Sequence, residues 1–469
     1  MKSDKLSTQH SALSTSASTR LTYQHTALNP HSELRTQNSE LKTSLLAGFF
    51  ALVVFTALAL GTVEAWSVAI FELGTLALLL RWGVSAWRQG TIEVRLPRTV
   101  LPLAGFLVLG LIQSVAVGSG GHRMSLSRDV EATRAAVVVI FFLIAMFVVA
   151  SNLFPTGERL RALAVFLIAY GFILAVFAIV QHLTWDGKLF WIRPVKSASG
   201  FGGPFVNRNH FAGYMEMLVP VSLAMALSRS LKSEQRLLCG FAAIMMSISI
   251  AASLSRGGMV SLAASLVFMA VSSIWLARAR GRRSSRIASV GQVGLFVSLV
   301  LACVLAGVYW VGADSGIAER IAGKDGALAT SRHVIWSDTA KMVLANPITG
   351  VGLGAFETSF PLYSRSDGSQ TVEYAHNDYL QALADGGVVA GALALWFVIV
   401  AGRAFVKAIK SHDERDRVLA LGFGTGIFAL LVHSLFDFNL QIPSNALMFL
   451  LLVAALGCVA DRNRNLLAE

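Results

Sequence analysis

Charged residues are scarce in this sequence of 469 residues. Only 14% are Asp, Glu, Lys or Arg, whereas 55% are hydrophobic and the mean hydropathy is +0.62. A soluble globular domain carries about 25% charged residues. A water-soluble body of this size would lack the polar surface to cover itself, so the composition excludes a soluble enzyme and also a disordered protein. At about 20 apolar residues per membrane-spanning helix, the chain has room for about a dozen spans.

Cysteine is also scarce. The three cysteines are Cys239, Cys303 and Cys458, and no Cys-x-x-Cys occurs. This pattern argues against a zinc or redox centre and excludes a disulfide framework. Each cysteine lies inside or at the edge of an apolar run, where it is expected to act as a small buried hydrophobic residue.

Several catalytic signatures are missing. The chain has no Asp-x-Asp for a metal-dependent nucleotide-sugar transferase, no His-Glu-x-x-His for a zinc protease and no Gly-x-Ser-x-Gly for a serine hydrolase. The run GVGLGAF at 350–356 lacks the Gly-x-Gly-x-x-Gly spacing of a dinucleotide loop. We therefore expect no metal ion and no cofactor.

The apolar runs predict an all-α polytopic membrane protein. Twelve spans are predicted near 44–62, 64–82, 99–117, 135–153, 161–181, 209–228, 237–255, 257–277, 291–312, 386–402, 418–436 and 444–460. Residues 1–43 are polar and lack apolar periodicity, which predicts a disordered tail that is not cleaved as a signal peptide.

The positive residues predict the orientation. If the N-terminus is cytoplasmic, about two-thirds of the 39 Lys and Arg fall in cytoplasmic segments. Both termini, including the tail at 461–469, are then cytoplasmic. The arginine cluster at 278–286 and the net charge of +12 indicate contact with anionic membrane lipids rather than nucleic acid.

This topology divides the chain into transmembrane helices 1–9 at 44–312, an outer loop at 313–385 and helices 10–12 at 386–460. A loop of this length is usually functional. Within it, residues 331–345 place Val334, Ile335, Thr339, Met342 and Val343 on one helical face, and Pro347 ends that helix. We expect a helical loop on the outer face of the membrane.

Polar residues concentrate on the outer face. They are Asn207, Arg208, Asn209 and His210 before the sixth span, Arg256 in a Ser-Arg-Gly-Gly turn, Arg332 in the loop, His376, Asn377 and Asp378 before the tenth span, and His433, Asp437 and Asn439 near the last outer turn. Asn207 and Asn209 fit helix capping and ligand contact equally well. A charge at membrane depth is costly unless it is paired or lines a wet cavity, so Arg256 is a candidate for ligand binding, with snorkelling to the interface as the alternative.

His376 is the candidate general base. If Asn377 or Asp378 caps the helix that follows, the positive end of its dipole disfavours a protonated imidazole, and a base must be neutral. One histidine and several arginines suit glycosyl transfer from a lipid-linked pyrophosphate sugar. The pyrophosphate leaves readily, arginines bind its oxygens bidentately, and direct displacement inverts the sugar carbon.

The same residues resemble a known family. Five strings carry the resemblance: GFGGPFVNRNHFAGYMEMLVP at 200–220, SLSRGG at 253–258, RHVIWSDTAKMVLANPITGVGLGAF at 332–356, AHNDYLQALADGG at 375–387 and HSLFDFNLQIPSNALMF at 433–449. In order and spacing they look like the O-antigen ligase and polymerase superfamily. Residues 1–199 resemble it only in being hydrophobic spans.

The resemblance implies a GT-C type glycosyltransferase of the bacterial inner membrane that moves a glycan from undecaprenyl pyrophosphate to an acceptor on the periplasmic side. It places the family's essential histidine at His376, its pyrophosphate-binding arginine at Arg256 and the arginine of the loop helix at Arg332. Arg208 lies in the family's Asn-x-Asn string, at a residue where the family varies. The acceptor is lipid A–core in a ligase or a growing polysaccharide in a polymerase. Glycosylation of protein is less compatible, because the chain lacks an extra periplasmic part.

Two other classes compete with this interpretation. Twelve spans with cytoplasmic termini also suit a transporter or flippase. Against it, the two halves show no similarity, and the polar residues gather on one face of the second half. Glu72 and Glu216 are possible intramembrane acids, for which burial in hydrogen-bonded form is an equally good explanation. A structural scaffold would not need the outer Arg and His residues.

Overall fold

The protein is an all-α polytopic membrane protein. The computed structural model describes residues 30–89, 94–117, 124–194, 202–279, 294, 326–364 and 371–465. Its helices are α1 (Pro30–Leu58), α2 (Ala65–Gln89), α3 (Val100–Gln113), α4 (Val130–Leu153), α5 (Gly157–Leu183), α6 (Arg208–Leu227), α7 (Ser233–Ala252), α8 (Arg256–Ala279), α9 (Gly326–Ala345), α10 (Phe356–Ser359), α11 (Asp378–Ile409), α12 (Glu414–His433) and α13 (Pro443–Asn465).

Strands are confined, in the described part of the chain, to two small antiparallel hairpins. They pair β1 (Ala116–Val117) with β2 (Met124–Ser125), and β3 (Lys188–Leu189) with β4 (Arg193–Pro194). Both connect successive helices on the side of the protein where α3 and α5 end.

Nine of the described helices are long and apolar enough to cross a membrane, and α1 and α3 add two shorter apolar stretches. Eleven of the twelve predicted spans therefore fall on described helices. Apart from Gly294, the predicted span at 291–312 lies outside the described residues, as does Cys303. Residues 30–43, predicted to be disordered, belong to α1, whereas residues 1–29 are not described.

Three helices form the centre of the bundle. α6 and α13 are almost wholly buried, and α12 is largely buried. α6 packs against α7 and α12, and α13 packs against α4, α11 and α12. The other long helices surround this centre and expose large apolar side chains, as helices that face lipid do.

Helices of alternating direction bring many of their ends to one side of the bundle. The starts of α6, α8, α11 and α13 lie there with the end of α12, and we call it the site side. On this side the backbone N–H of Ser444 donates to the carbonyl of Gly61, and the N–H of Asp378 donates to the carbonyl of Ser434. On the site side, the ends of distant spans are thus hydrogen-bonded to each other.

The glycine-rich turn at 350–356 is bound to the end of α3 by one buried side chain. The amide nitrogen of Gln113 donates to the carbonyls of Thr349 at 2.6 Å and Asp385 at 3.0 Å, and its amide oxygen accepts from the N–H of Leu353 at 3.0 Å. Gly350 adopts positive φ in this turn, and its close approach to Asp385 leaves no room for a Cβ. This contact fixes the loop against the spans.

α11 begins earlier than the predicted tenth span. It starts at Asp378 and is interrupted at Gly387, whose φ of 60° and ψ of −157° are not helical. Residues 378–385, assigned from the sequence to the loop, therefore form two helical turns. They place the segment that carries His376 directly over the helix start.

Candidate active site

A buried carboxylate, Asp437, lies at the centre of the site. It lies in the segment between α12 and α13, and its side chain is 1% exposed. His376 Nδ1 is 3.2 Å from one carboxylate oxygen, and Asn209 Nδ2 donates to the other at 2.6 Å. The guanidinium of Arg332 is 3.6 Å from that second oxygen. The fold therefore brings together His376, Arg332 and Asn209, which the sequence predicted as site residues.

Asp437 is held in its charged form. Burial alone would raise the pKa of this carboxyl, but the hydrogen bond with His376 and the nearby charges of His210, His376 and Arg332 lower the pKa below its ordinary value. The backbone N–H of Phe438 adds a donor at 3.0 Å. An ionised carboxylate only accepts hydrogen bonds, so Nδ1 of His376 carries the hydrogen that they share.

His376 remains open to solvent while it is held by Asp437. Its side chain is 31% exposed, and its ring meets the Phe438 ring edge-on at 4.9 Å between centroids. With the hydrogen on Nδ1, a neutral ring has its lone pair on Nε2, the nitrogen that can accept a proton from a substrate. The arrangement can serve as an oriented base.

The backbone at His376 is strained. Its φ of 51° lies in the left-handed region, which costs a non-glycine residue on the order of 1–3 kcal/mol. Asn377, the next residue, caps α11 by accepting from the N–H groups of Tyr379 and Leu380, each at 3.0 Å. The amide of Asn377 also donates to the carbonyl of Leu435 at 3.0 Å. His376 thus precedes a well-capped helix N-terminus.

Asp378 does not act as the cap. It is the first residue of α11, is buried, and accepts from the hydroxyl of Ser434 at 2.8 Å and the N–H of Leu440 at 3.1 Å. It therefore ties α11 to the end of α12 and to the segment before α13. Its predicted contact with substrate stays a prediction.

The residues at the start of α6 divide into a cap, a site contact and a buried ring. Asn207 caps the helix by accepting from the N–H of Asn209 at 2.9 Å. His210 is buried, with its ring edge-on to Phe438 at 4.8 Å between centroids. Arg208, the first residue of α6, is only partly buried. Asn207 therefore caps the helix, while Asn209 contacts Asp437. Contact of either side chain with a ligand stays a prediction.

Arg256 lies on the same side of the bundle but apart from Asp437. It is the first residue of α8 and is exposed. Within the described residues, no hydrogen bond or ion pair joins it to His376 or Asp437. Its turn contacts His433 through Gly257, and the carbonyl of His433 accepts from the N–H of Asp437 at 3.1 Å. The Arg256 turn and Asp437 therefore both adjoin the end of α12.

The position of Arg332 differs slightly from the prediction. α9 begins at Gly326, so Arg332 lies in its second turn rather than at its start. Its side chain is 35% exposed and its charge is close to Asp437. The loop helix thus delivers a cation to the same carboxylate that holds the candidate base.

Asp437 is the site residue that sequence reasoning missed. The sequence places it among the polar residues near the last outer turn but indicates no role for it. It follows His376 by 61 residues, and nothing in the local pattern pairs them. The sequence marks Glu216 as a possible intramembrane acid but does not identify His433 as its partner.

Fold and site define a class: a polytopic α-helical membrane protein with an oriented histidine and two arginines on one side of the bundle. Residues 241–395 match the family model described as O-Antigen ligase (Wzy_C), which confirms the resemblance seen in the sequence. The match covers about a third of the chain and includes Arg256, Arg332 and His376. It supports a membrane enzyme of the ligase or polymerase type that acts on a polysaccharide. No curated protein matches the chain.

Asn209 and Asp437 lie outside the matched segment, one before and one after it. The candidate site therefore combines residues of the matched segment with residues that lie before and after it.

Proposed function

We propose that the protein is a metal-independent, inverting glycosyltransferase that acts at the periplasmic face of the bacterial inner membrane. It transfers a glycan from undecaprenyl pyrophosphate to an acceptor hydroxyl, and the acceptor is lipid A–core, as in an O-antigen ligase. The observation that carries the proposal is the pairing of solvent-open His376 with buried, charged Asp437.

The first step is removal of a proton. Nε2 of His376 accepts the proton of the acceptor hydroxyl as its oxygen attacks the anomeric carbon of the donor sugar. The bond from that carbon to the pyrophosphate oxygen breaks at the same time, which inverts the carbon. Asp437 holds the ring in the required tautomer and stabilises the imidazolium that forms.

The second element is stabilisation of the leaving group. Negative charge increases on the pyrophosphate as its bond to sugar breaks, and guanidinium groups bind phosphate oxygens bidentately. Arg256 is exposed and available for this contact. Arg332 carries a second cation on the loop helix beside the base, and Arg208 starts the helix that presents Asn209. Asn207, His210, Asn377 and Asp378 would complete the substrate-binding surface.

The placement of both termini in the cytoplasm, and of the site in the periplasm, follows from the distribution of Lys and Arg. The domain organisation proposed from the sequence keeps a cytoplasmic tail, nine spans, a periplasmic loop and three spans. The loop is shortened by the helical turns of α11 before Gly387.

A polymerase of the same superfamily is the second candidate, since its acceptor hydroxyl, on a growing polysaccharide, needs the same base and the same cations. A transporter or flippase needs neither. The oriented histidine, open to solvent on one side of the membrane, favours an enzyme.

The test is replacement of His376 by Ala at unchanged membrane abundance, with the gel profile of surface glycan and the amount of lipid-linked precursor as readouts. If the protein is a ligase, the inactive variant leaves lipid A–core without glycan while polymer accumulates on undecaprenyl pyrophosphate. If it is a polymerase, the inactive variant leaves single repeat units. An unchanged glycan profile rejects His376 as the base and with it the proposed reaction.

A further inference from the structure

A fully buried pair lies behind the site. Glu216 in α6 and His433, the last residue of α12, are 0% and 1% exposed, and Nδ1 of His433 lies 3.1 and 3.0 Å from the two carboxylate oxygens of Glu216. Burying a carboxylate and an imidazole is costly, and apolar residues of similar volume often give equal or greater stability. The pair is therefore a candidate for a role other than stability.

The first turn of α8 rests on this pair. A Cβ at Gly257 would lie 2.6 Å from Nε2 of His433, and a Cβ at Gly258 would lie 2.6 Å from the Cβ of Ala212. Ala212 precedes Glu216 by one turn of α6, so both lie on the same face. The turn that carries Arg256 is thus packed directly on the imidazole and on the helix that orients it.

The end of α12 also holds the segment that carries the base. The carbonyl of His433 accepts from the N–H of Asp437 at 3.1 Å. The next residue, Ser434, accepts from the N–H of Asp378 at 2.9 Å and donates through its hydroxyl to the Asp378 carboxylate at 2.8 Å. Asp437 contacts His376, and Asp378 follows His376 by two residues. One helix end is therefore shared by the Arg256 turn and the His376 segment.

We propose that Glu216 and His433 are positioning residues that fix the placement of Arg256 relative to His376. The hydrogen bond from His433 to Glu216 sets the orientation of the imidazole, and the imidazole edge sets how closely the Gly257 turn approaches. Neither side chain touches substrate. This inference rests on the proposed function, because it assigns the pair to the binding of the donor's pyrophosphate by Arg256.

The experiment measures the Kd of undecaprenyl pyrophosphate for the purified, detergent-solubilised full chain. Glu216→Leu removes the hydrogen bond and is expected to raise Kd about tenfold, a coupling typical of residues that share a network. Glu216→Gln keeps an amide oxygen that accepts from Nδ1, so its Kd is expected to stay within about twofold of the unsubstituted protein. If Glu216→Gln and Glu216→Leu raise Kd equally, the proposal is overturned, because keeping the hydrogen bond to His433 would then not preserve donor binding.

A double-mutant cycle separates positioning from general damage. Glu216→Leu is combined with Arg256→Ala, and the pair of changes is expected to weaken binding no more than Arg256→Ala alone. Additive losses overturn the positioning role while leaving the function of Arg256 in place. If Arg256→Ala leaves Kd unchanged, both the donor-binding role of Arg256 and the positioning inference fail.

Two further variants guard against unfolding. Gly257→Ala keeps the Glu216–His433 hydrogen bond but forces the α8 turn away from the imidazole, so it is expected to raise Kd like Glu216→Leu. An unchanged Kd overturns the proposal.

Ser222→Ala is the matched control. Ser222 is buried in the same helix and donates to the carbonyl of Cys239 in α7 at 2.8 Å, away from the site, so its loss is expected to leave Kd unchanged. A rise in Kd for Ser222→Ala equal to that for Glu216→Leu overturns the specificity claimed for the pair.

Discussion

Asp437 and His376 share a hydrogen bond of 3.2 Å although 61 residues separate them, and the carboxylate is buried while the imidazole is open. This relationship gives the histidine a fixed tautomer and a free nitrogen on its exposed side. It also makes the site dependent on a residue that touches no substrate atom in the proposed reaction.

Replacing Asp437 with Asn tests this dependence. The introduced amide can donate to Nδ1, which would then hold its lone pair toward that amide and leave the hydrogen on Nε2, the wrong tautomer for a base. We expect kcat of the purified enzyme to fall by about 100-fold or more, by analogy with other Asp–His pairs, while KM for the donor changes little. A large rise in KM with unchanged kcat would instead place Asp437 in donor binding.

Replacing Arg256 with Lys tests the leaving-group contact. Lysine keeps the charge but lacks the planar fork that binds two phosphate oxygens. We expect the Kd of undecaprenyl pyrophosphate to rise about tenfold, a loss of about 1.4 kcal/mol. The control is Arg415→Lys, an exposed arginine at the opposite end of α12. An unchanged Kd for the lysine variant would show that Arg256 acts only as a positive charge or as a membrane anchor.

The lowered pKa of Asp437 predicts a pH dependence of stability. A group whose pKa is depressed by folding contributes stability above its unfolded value, ordinarily 3.8, and that contribution is lost as pH falls through the folded pKa. We therefore expect the unsubstituted protein to melt higher than the Asp437→Asn variant at pH 5 to 7. The difference in melting temperature between the two proteins should become smaller as pH drops below about 4. Intrinsic fluorescence during heating in detergent measures both melting temperatures. A difference that grows toward low pH would contradict a lowered pKa of Asp437.

Orientation can be measured by labelling single cysteines in a variant without native cysteine. Glu357 in α10 and His412 before α12 are both exposed and lie at opposite ends of the bundle. A membrane-impermeant maleimide is expected to label Glu357→Cys in intact spheroplasts and His412→Cys only after permeabilisation. The reverse pattern would place His376 in the cytoplasm and end the proposal of a periplasmic site.

The spans could be predicted from the sequence because hydropathy is a local property that needs no knowledge of packing. The start of α11 could not. Its first two turns contain Asp378, Gln381 and Asp385, which lower the local hydropathy, yet all three are buried and hydrogen-bonded. Hydropathy averaged over neighbouring residues cannot show that a polar side chain is buried, because the hydrogen-bond partners that permit burial lie elsewhere in the chain.

The candidate site was predictable in part for the same reason. Unusual polar residues beside apolar runs mark His376, Arg256 and Arg332 as candidates, and a family resemblance assigns them roles. The pairing of Asp437 with His376, and of His433 with Glu216, is a product of tertiary structure. Only the packing of α6 against α12 brings Glu216, 217 residues earlier, to its imidazole.

The contacts of Gln113 bear on how the protein can be divided. Its three hydrogen bonds fasten the turn after α9 to a span that lies well before the segment matching the family. A chimera that exchanges residues 241–395 alone would graft a loop without the amide that clamps it. Exchanges between homologues should therefore carry α3 along with the loop, or keep a glutamine at its last turn.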